Sequence, residues 1–184
     1  MSFCLILLAA GNSNRFKSQL PKPYHKVGGK TLLEISLNKA SFFSQIKKII
    51  VVYNKKHFKN LKKIKLKNIK LIKGGKTRQE STLNALKFII KQKGISKVLI
   101  HDSARPNFSK KLLKSIMIKM KNSRAVIPIL KINDAIKQKH GKNVISKNRN
   151  NLFVTQTPQC FNLREIFSLH KSYKFRYLDD DFSL

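Results

Sequence analysis

A chain of 184 residues, 41% of them hydrophobic and spread along its length, can bury a core of its own and is too apolar for disorder. Its 40 Lys and Arg against 8 Asp and Glu give a formal net charge of +32, which suits either a polyanion-binding surface or lysine-rich solvated faces. The lysines fall on nearly every helix and loop, with no arginine-rich arm and no aromatic pattern of the RNA-binding kind, so solvated faces are favoured and nucleic acid is not an expected partner.

The first element is the apolar run Phe3 to Leu8, which predicts a strand buried on both faces. No Lys or Arg precedes it and a Gly11-Asn12-Ser13 turn follows, so it does not read as a signal peptide. Thr31-Leu32-Leu33-Glu34 has capping-box spacing and starts a helix with an apolar stripe at Leu33, Leu37 and Ala40. Strands follow at Lys48 to Tyr53 and Ile69 to Ile72. Thr77-Arg78-Gln79-Glu80 is a second capping box, opening a helix with Leu83, Leu86 and Ile90 on one face. A fourth strand is expected at Val98 to Ile100. Ser109 caps a helix carrying Leu112, Leu113, Ile116 and Met120. A fifth strand is expected over Ala125 to Ile129. Lys131 to Asn151 is polar and irregular and reads as an arm or insertion, and Leu163 to Tyr173 is a last helical stretch.

Strand–helix alternation of this kind predicts an α/β fold over residues 1–184, with a mostly parallel sheet and helices on both faces. Ligands of such sheets bind beyond the carboxyl ends of the strands, so the residues just after each strand carry the information. No stretch is long enough to span a bilayer. Cys4 and Cys160 have no CxxC spacing and read as buried free thiols, which suits a reducing cytoplasm.

After the first strand, Ala9, Ala10 and Gly11 put little side chain between the backbone and a ligand, so their N–H groups can meet phosphate oxygens. Arg15 and Lys22 then supply the positive charge that a phosphoryl-transfer transition state needs. An ordinary glycine turn with two surface cations is the plain alternative, and the loop is neither a Walker loop nor GxGxxG. Gly74-Gly75, between a strand and a capped helix that contains Ser81, allow close approach of a flat base. His101-Asp102-Ser103-Ala104-Arg105-Pro106 directly follows a strand. Asp102 can bind a metal or a sugar hydroxyl and Arg105 a phosphate, whereas His101 reads as a core histidine.

In order along the chain, Leu8-Ala9-Ala10-Gly11 with Arg15, Pro21-Lys22 with Tyr24, Gly74-Gly75 with Arg78 and Ser81, His101-Asp102 with Ala104-Arg105-Pro106, Asp134 with Ile136-Lys137, Arg149, and Gln156-Thr157-Pro158-Gln159 with Phe161 resemble the motifs of the 2-C-methyl-D-erythritol 4-phosphate cytidylyltransferases of non-mevalonate isoprenoid synthesis. The resemblance covers essentially the whole chain. It implies a Rossmann-like nucleotidyltransferase fold with a protruding β-arm, about residues 131–151, that exchanges across a homodimer. It places CTP against Ala9, Ala10, Gly11, Gly74, Gly75 and Ser81, with Asp102 and Ser103 near the ribose, and Mg²⁺ held mainly by the triphosphate. Arg15, Lys22 and Arg149 would be catalytic. Asp102, Arg105, Ala135 and, from the partner subunit's arm, Arg149 would face the methylerythritol phosphate.

Three positions depart from the family pattern: Ala135 where a substrate-contacting Thr is usual, Lys76 at a site often acidic or polar, and Leu178-Asp179-Asp180 in place of a Thr-Asp-acidic run. The family also continues past the equivalent of Leu184 with a strand, a substrate-positioning lysine and a helix, so the chain is expected to be C-terminally truncated. Two other functions are open on the sequence: a pentitol-phosphate cytidylyltransferase acting on ribitol 5-phosphate, and a basic nucleic-acid-binding relative without activity.

Overall fold

The computed structural model describes residues 1–13, 16, 18–62, 64, 69–172 and 181. The first strand, β1 (Phe3–Ala9), lies in the middle of a six-stranded sheet. The hairpin β2 (Lys26–Val27) and β3 (Lys30–Thr31) leads into α1 (Leu32–Ala40), and β4 (Ile46–Tyr53) returns beside β1. Then come α2 (Phe58–Lys62), β5 (Ile69–Lys73), α3 (Arg78–Ile89), β6 (Lys97–Asp102) and α4 (Lys110–Lys119). The short β7 (Ala125–Val126) precedes four arm strands: β8 (Ile129–Lys131), β9 (Ile136–His140), β10 (Asn143–Lys147) and β11 (Phe153–Thr155). Strand β12 (Gln159–Asn162) and α5 (Leu163–Ser172) follow.

The sheet order is β5-β4-β1-β6-β12-β7. The first four strands run parallel, with Leu7 opposite Val51 on one side and His101 on the other. Chain order reverses at β1, where β4 and β5 build outward one way and β6 the other, and this opens a crevice beyond the carboxyl ends of β1 and β6.

Alternation along β1 divides the core. Phe3, Leu5, Leu7 and Ala9 pack with Leu33 and Leu37 of α1 and Leu113 and Ile116 of α4. Cys4 and Ile6 pack on the opposite face with Leu86 and Ile89 of α3 and Ile166 of α5. Phe3 to Leu7 are all buried, because helices cover both faces.

The capping box at α1 is complete: Thr31 Oγ1 accepts from the Glu34 N–H at 3.1 Å, and Glu34 Oε2 accepts from the Thr31 N–H at 2.7 Å. That arrangement stabilises a helix start by about 1 kcal/mol. The second expected box is only half formed. Thr77 Oγ1 does accept from the Glu80 N–H, but Glu80 Oε2 accepts from the Lys76 N–H at 2.6 Å, tightening the turn before the helix instead of its cap residue.

Other expectations need correction. The strand expected over Ala125 to Ile129 is two strands. β7 pairs with β12 in the main sheet, while β8, beyond Pro128, pairs with β11 in a separate ribbon. The buried face of α3 is Ser81, Thr82, Ala85, Leu86 and Ile89; Leu83 is half-buried and Ile90 is the C-cap. The stretch 131–151, polar in sequence, is not irregular: β9 and β10 form an antiparallel hairpin, Val144 against Lys139. Strand β12 was not expected at all; it inserts antiparallel between β6 and β7. Tyr173, the expected end of the last helix, lies outside the described residues.

Candidate active site

A cleft of about 650 Å³ opens over the carboxyl ends of β1, β4, β5 and β6. Each wall comes from residues at or just past one strand's end: Ala10, Gly11 and Ser13 at β1, Asn54 at β4, Gly75 to Arg78 and Ser81 at β5, and Asp102, Ala104 and Arg105 at β6. Lys22 and Pro23 close the side next to the first loop.

That first loop is tied at several points. Ser13 adopts φ 54°, a left-handed conformation uncommon for a serine. Its Oγ accepts from the Lys22 N–H at 3.1 Å and its carbonyl from the Phe16 N–H at 2.7 Å, so one residue joins the two ends of the turn. Asn54 Nδ2 donates to Asn12 Oδ1 at 2.9 Å and fastens the loop to β4. The Lys22 ammonium stands 5.2 Å above the Phe16 ring. Lys22 is thereby held at the rim without a carboxylate partner among the described residues, and its charge is available to an anionic ligand.

The glycine pair is required by the protein's own packing. A Cβ on Gly74 would lie 2.5 Å from Ala10 Cβ and 2.9 Å from Ser81 Oγ; one on Gly75 would lie 2.3 Å from Glu80 Cβ. Ser81 Oγ accepts from the Gly75 N–H at 3.1 Å, which sets the turn directly over the first loop. Gly75 and Ser81 line the cleft, and Gly74 sits behind them.

Among the described residues that line the cleft the carboxylate is Asp102, with Arg105 Nε 3.2 Å from Oδ2 and Arg78 Nε 3.5 Å from Oδ1. Its N–H donates to Thr157 Oγ1, which also bonds His101 Nδ1 at 2.8 Å. His101 is buried against the Phe108 ring, and that burial pushes its pKa down to about 3, so it stays neutral as the core histidine the sequence suggested. Ser103 is completely buried; its hydroxyl donates to the Leu8 carbonyl at 2.6 Å and joins the ends of β6 and β1. Arg105 also donates to Gln156 Oε1 at 3.2 Å.

Arg78, on the first turn of α3, also lines the cleft and was not singled out from the sequence as a site residue. Its second carboxylate is the buried Asp181, 2.6 Å from Nη1. Burial works against the Arg78 cation, but the charges of Asp181 and Asp102 outweigh it and raise the pKa. Burial likewise favours a neutral Asp181, and here the His170 hydrogen bond and the Arg78 charge prevail, holding its carboxyl below the usual range. Ser13 and Asn54 also went unnoticed. Serine and asparagine after a strand are a turn signal, but nothing local shows which strand end they reach.

The remaining candidates fall elsewhere. Ala9 is buried under the cleft as the last residue of β1. Ala135 and Arg149 are on the exposed arm, where Arg149 donates to the Asn133 carbonyl, and neither lines the cleft of its own chain. Arg15 and the run Leu178 to Asp180 lie outside the described residues. Cys4 and Cys160 are buried free thiols whose pKa burial pushes up to about 12. Among the described residues no group of three His, Cys, Asp or Glu side chains is placed to hold a metal, and no helix is long and apolar enough to cross a membrane.

A doubly wound sheet with a cationic cleft at its switch point, walled by small residues and a glycine turn, is the Rossmann-like α/β fold of the nucleotidyltransferases. The sequence profile of the 2-C-methyl-D-erythritol 4-phosphate cytidylyltransferase family matches residues 3–184, and the chain belongs to that family. The bifunctional enzyme IspD/IspF of Pelagibacter ubique is 47% identical over 98% of this chain and 48% of its own length. The 2-C-methyl-D-erythritol 4-phosphate cytidylyltransferase of Wigglesworthia glossinidia brevipalpis is 38% identical over 91% of this chain and 73% of its own. The crystal structure of 4-diphosphocytidyl-2C-methyl-D-erythritol synthase from Anaerococcus prevotii superposes with a TM-score of 0.83 at 28% identity, covering 99% of this chain and 81% of that one. The chain thus spans about half the length of the bifunctional relative and about three quarters of the single-function one.

Proposed function

We propose that the protein transfers CMP from CTP to 2-C-methyl-D-erythritol 4-phosphate and releases pyrophosphate. The observation that carries this reading is the cleft that gathers Lys22, Gly75, Ser81, Asp102 and Arg105 at the sheet's switch point, in a chain matched by the family from residue 3 to residue 184. A phosphate oxygen of the acceptor attacks the α-phosphorus in line. The bond to the bridging α–β oxygen breaks, and pyrophosphate leaves with the electron pair. The attacking phosphate is already ionised, so no general base and no covalent enzyme intermediate are needed.

Lys22, with Arg15 from the same stretch of sequence, stabilises charge on the phosphoryl oxygens. The Gly75 turn receives the base, Asp102 accepts from a hydroxyl, and Arg105 holds the acceptor phosphate. Among the described residues the cleft offers one carboxylate, Asp102, and it is flanked by two arginines. This suits Mg²⁺ held mainly by triphosphate oxygens and water, with at most Asp102 from the protein, where it would neutralise phosphate charge. We place the reaction in the cytoplasm, in keeping with the two free thiols. Arg149 is supplied by the arm of a second copy; apolar residues exposed on that arm, Ile129, Leu130, Val144, Ile145, Phe153 and Val154, support such a homodimer.

Pyrophosphate release is the test, measured with Mg²⁺, methylerythritol phosphate and each of CTP, ATP, GTP and UTP, then with ribitol 5-phosphate as acceptor. Release with CTP and methylerythritol phosphate is expected. Preference for ribitol 5-phosphate makes the protein a pentitol-phosphate cytidylyltransferase, and no release with any pair defeats the enzymatic reading.

A further inference from the structure

Arg78 stands between two carboxylates in opposite surroundings. Asp102 faces the cleft with a side chain 28% exposed, whereas the Asp181 side chain is fully buried. The shorter contact is to the buried one, 2.6 Å from Nη1 to Oδ2 against 3.5 Å from Nε to Asp102 Oδ1. The other Asp181 oxygen accepts from His170 Nε2 at 3.0 Å, and His170 is itself buried on α5. Both oxygens of Asp181 therefore have a donor, without which its burial would cost several kcal/mol. The chain of contacts His170–Asp181–Arg78–Asp102 leads from the back of α5 to the floor of the cleft.

We propose that Asp181 is a positioning residue for nucleotide binding, holding the Arg78 guanidinium back against α5 so that its contact with Asp102 Oδ1 stays a single one of 3.5 Å, which a ligand hydroxyl can displace. A guanidinium is a planar fork that matches a carboxylate with two parallel hydrogen bonds. Asp102 already has Arg105 on Oδ2 at 3.2 Å and the long Arg78 contact on Oδ1. If Arg78 is released from Asp181, its nearest remaining carboxylate is Asp102. A bidentate grip there replaces the long Arg78 contact by two short hydrogen bonds, and a ligand hydroxyl then has to displace a firmly held charged donor. Arg78 and Asp181 lie 103 residues apart in the chain, so their pairing exists only in the folded protein.

The inference rests on the nucleotide reading of the cleft, so its primary measurement is CTP binding by calorimetry with Mg²⁺ on the full chain, which needs no turnover. Asp181→Asn keeps an acceptor for His170 and removes the charge that holds Arg78. It is expected to weaken CTP binding about tenfold, the worth of one hydrogen bond to a charged group, while kcat from pyrophosphate release stays within about threefold. In an Arg78→Gln background the same change should alter CTP affinity by less than about twofold, because no guanidinium is left to capture Asp102. Wild-type affinity in folded Asp181→Asn protein overturns the proposal. So does a full tenfold loss that persists beside Arg78→Gln, since Asp181 would then act through the fold at large. Should Asp181→Asn fail to fold, His170→Ala takes its place, with an expected loss of about threefold that disappears beside Arg78→Gln; unchanged affinity there overturns the proposal too. Wild-type protein that binds CTP but releases no pyrophosphate refutes the proposed reaction and leaves this test standing. Wild-type protein that binds no CTP refutes both.

Discussion

The sheet body and the arm are built from similar residues and end in opposite conditions. Strand β1 runs Phe-Cys-Leu-Ile-Leu-Leu-Ala and is buried nearly throughout, because β4 and β6 pair with both its edges and helices cover both its faces. Strand β10 carries Val144 and Ile145, also strong strand formers, and every residue of it is exposed, Val144 by 62%. A two-stranded hairpin is marginal in water, and β9–β10 has only its own ribbon to pair with. The body therefore carries its own stability, and the arm leaves its apolar side chains exposed.

The sharpest way to break this comparison is in activity. Lys22→Ala in the body should lower kcat by about 10²- to 10³-fold, the usual effect of removing a donor to transition-state charge. Arg149→Ala in the arm should lower turnover through the acceptor phosphate. If the arm completes a neighbour's site, refolding the two inactive variants together restores about a quarter of wild-type activity, because half the dimers are hybrids with one intact site. No recovery on mixing would place Arg149 outside the neighbour's site.

A smaller effect separates the two regions in stability. Leu7→Ala, in a packed core, should cost about 3 kcal/mol by denaturant unfolding. Ile145→Asp should change the unfolding free energy of dilute protein by less than about 0.5 kcal/mol and show instead as lost association in sedimentation. A large unfolding penalty for Ile145→Asp would mean that the arm belongs to the body after all.

The last effect, about 2 kcal/mol between pH 6 and pH 4.5, is a pH dependence confined to the body. His101 has a folded pKa of about 3, below the usual 6.5. As pH falls through 6.5 the unfolded chain takes up a proton that the folded chain refuses. Stability is complete above that value and is lost as pH falls towards 3, by up to about 1.4 kcal/mol per pH unit. His101→Gln should flatten this slope between about pH 6 and pH 4.5, above the range where Asp181 loses its charge. An unchanged slope would mean that His101 is not the group responsible.

The body was the more legible region, for local reasons. β1 is a plain apolar run, Thr31 and Ser109 are caps whose partners lie three residues on, and the loops after β1, β5 and β6 announced themselves by small residues, a glycine pair and a carboxylate among few. Strand β12 was hidden because only Cys160 and Phe161 are apolar between Gln159 and Asn162, while Gln159 is buried just as they are. The break at Pro128 looked like the continuation of a strand. The glycine pair was recognised, but its cause was seen as room for a base, and Gly74 turns out to be required by Ala10 and Ser81. Arg78 passed as part of a capping motif, because neither carboxylate that gives it a role is near it in sequence.

The sequence by itself determined the order of the central elements, the helix starts and the chemistry offered after each strand, since these depend on side-chain period and on contacts a few residues long. Only the tertiary structure decided that β12 runs antiparallel beside β6, that Asn54 fastens the first loop, and that Arg78 is drawn towards a buried carboxylate. Those outcomes join groups tens of residues apart, whose approach is set by how the sheet packs against its helices and not by any local pattern along the chain.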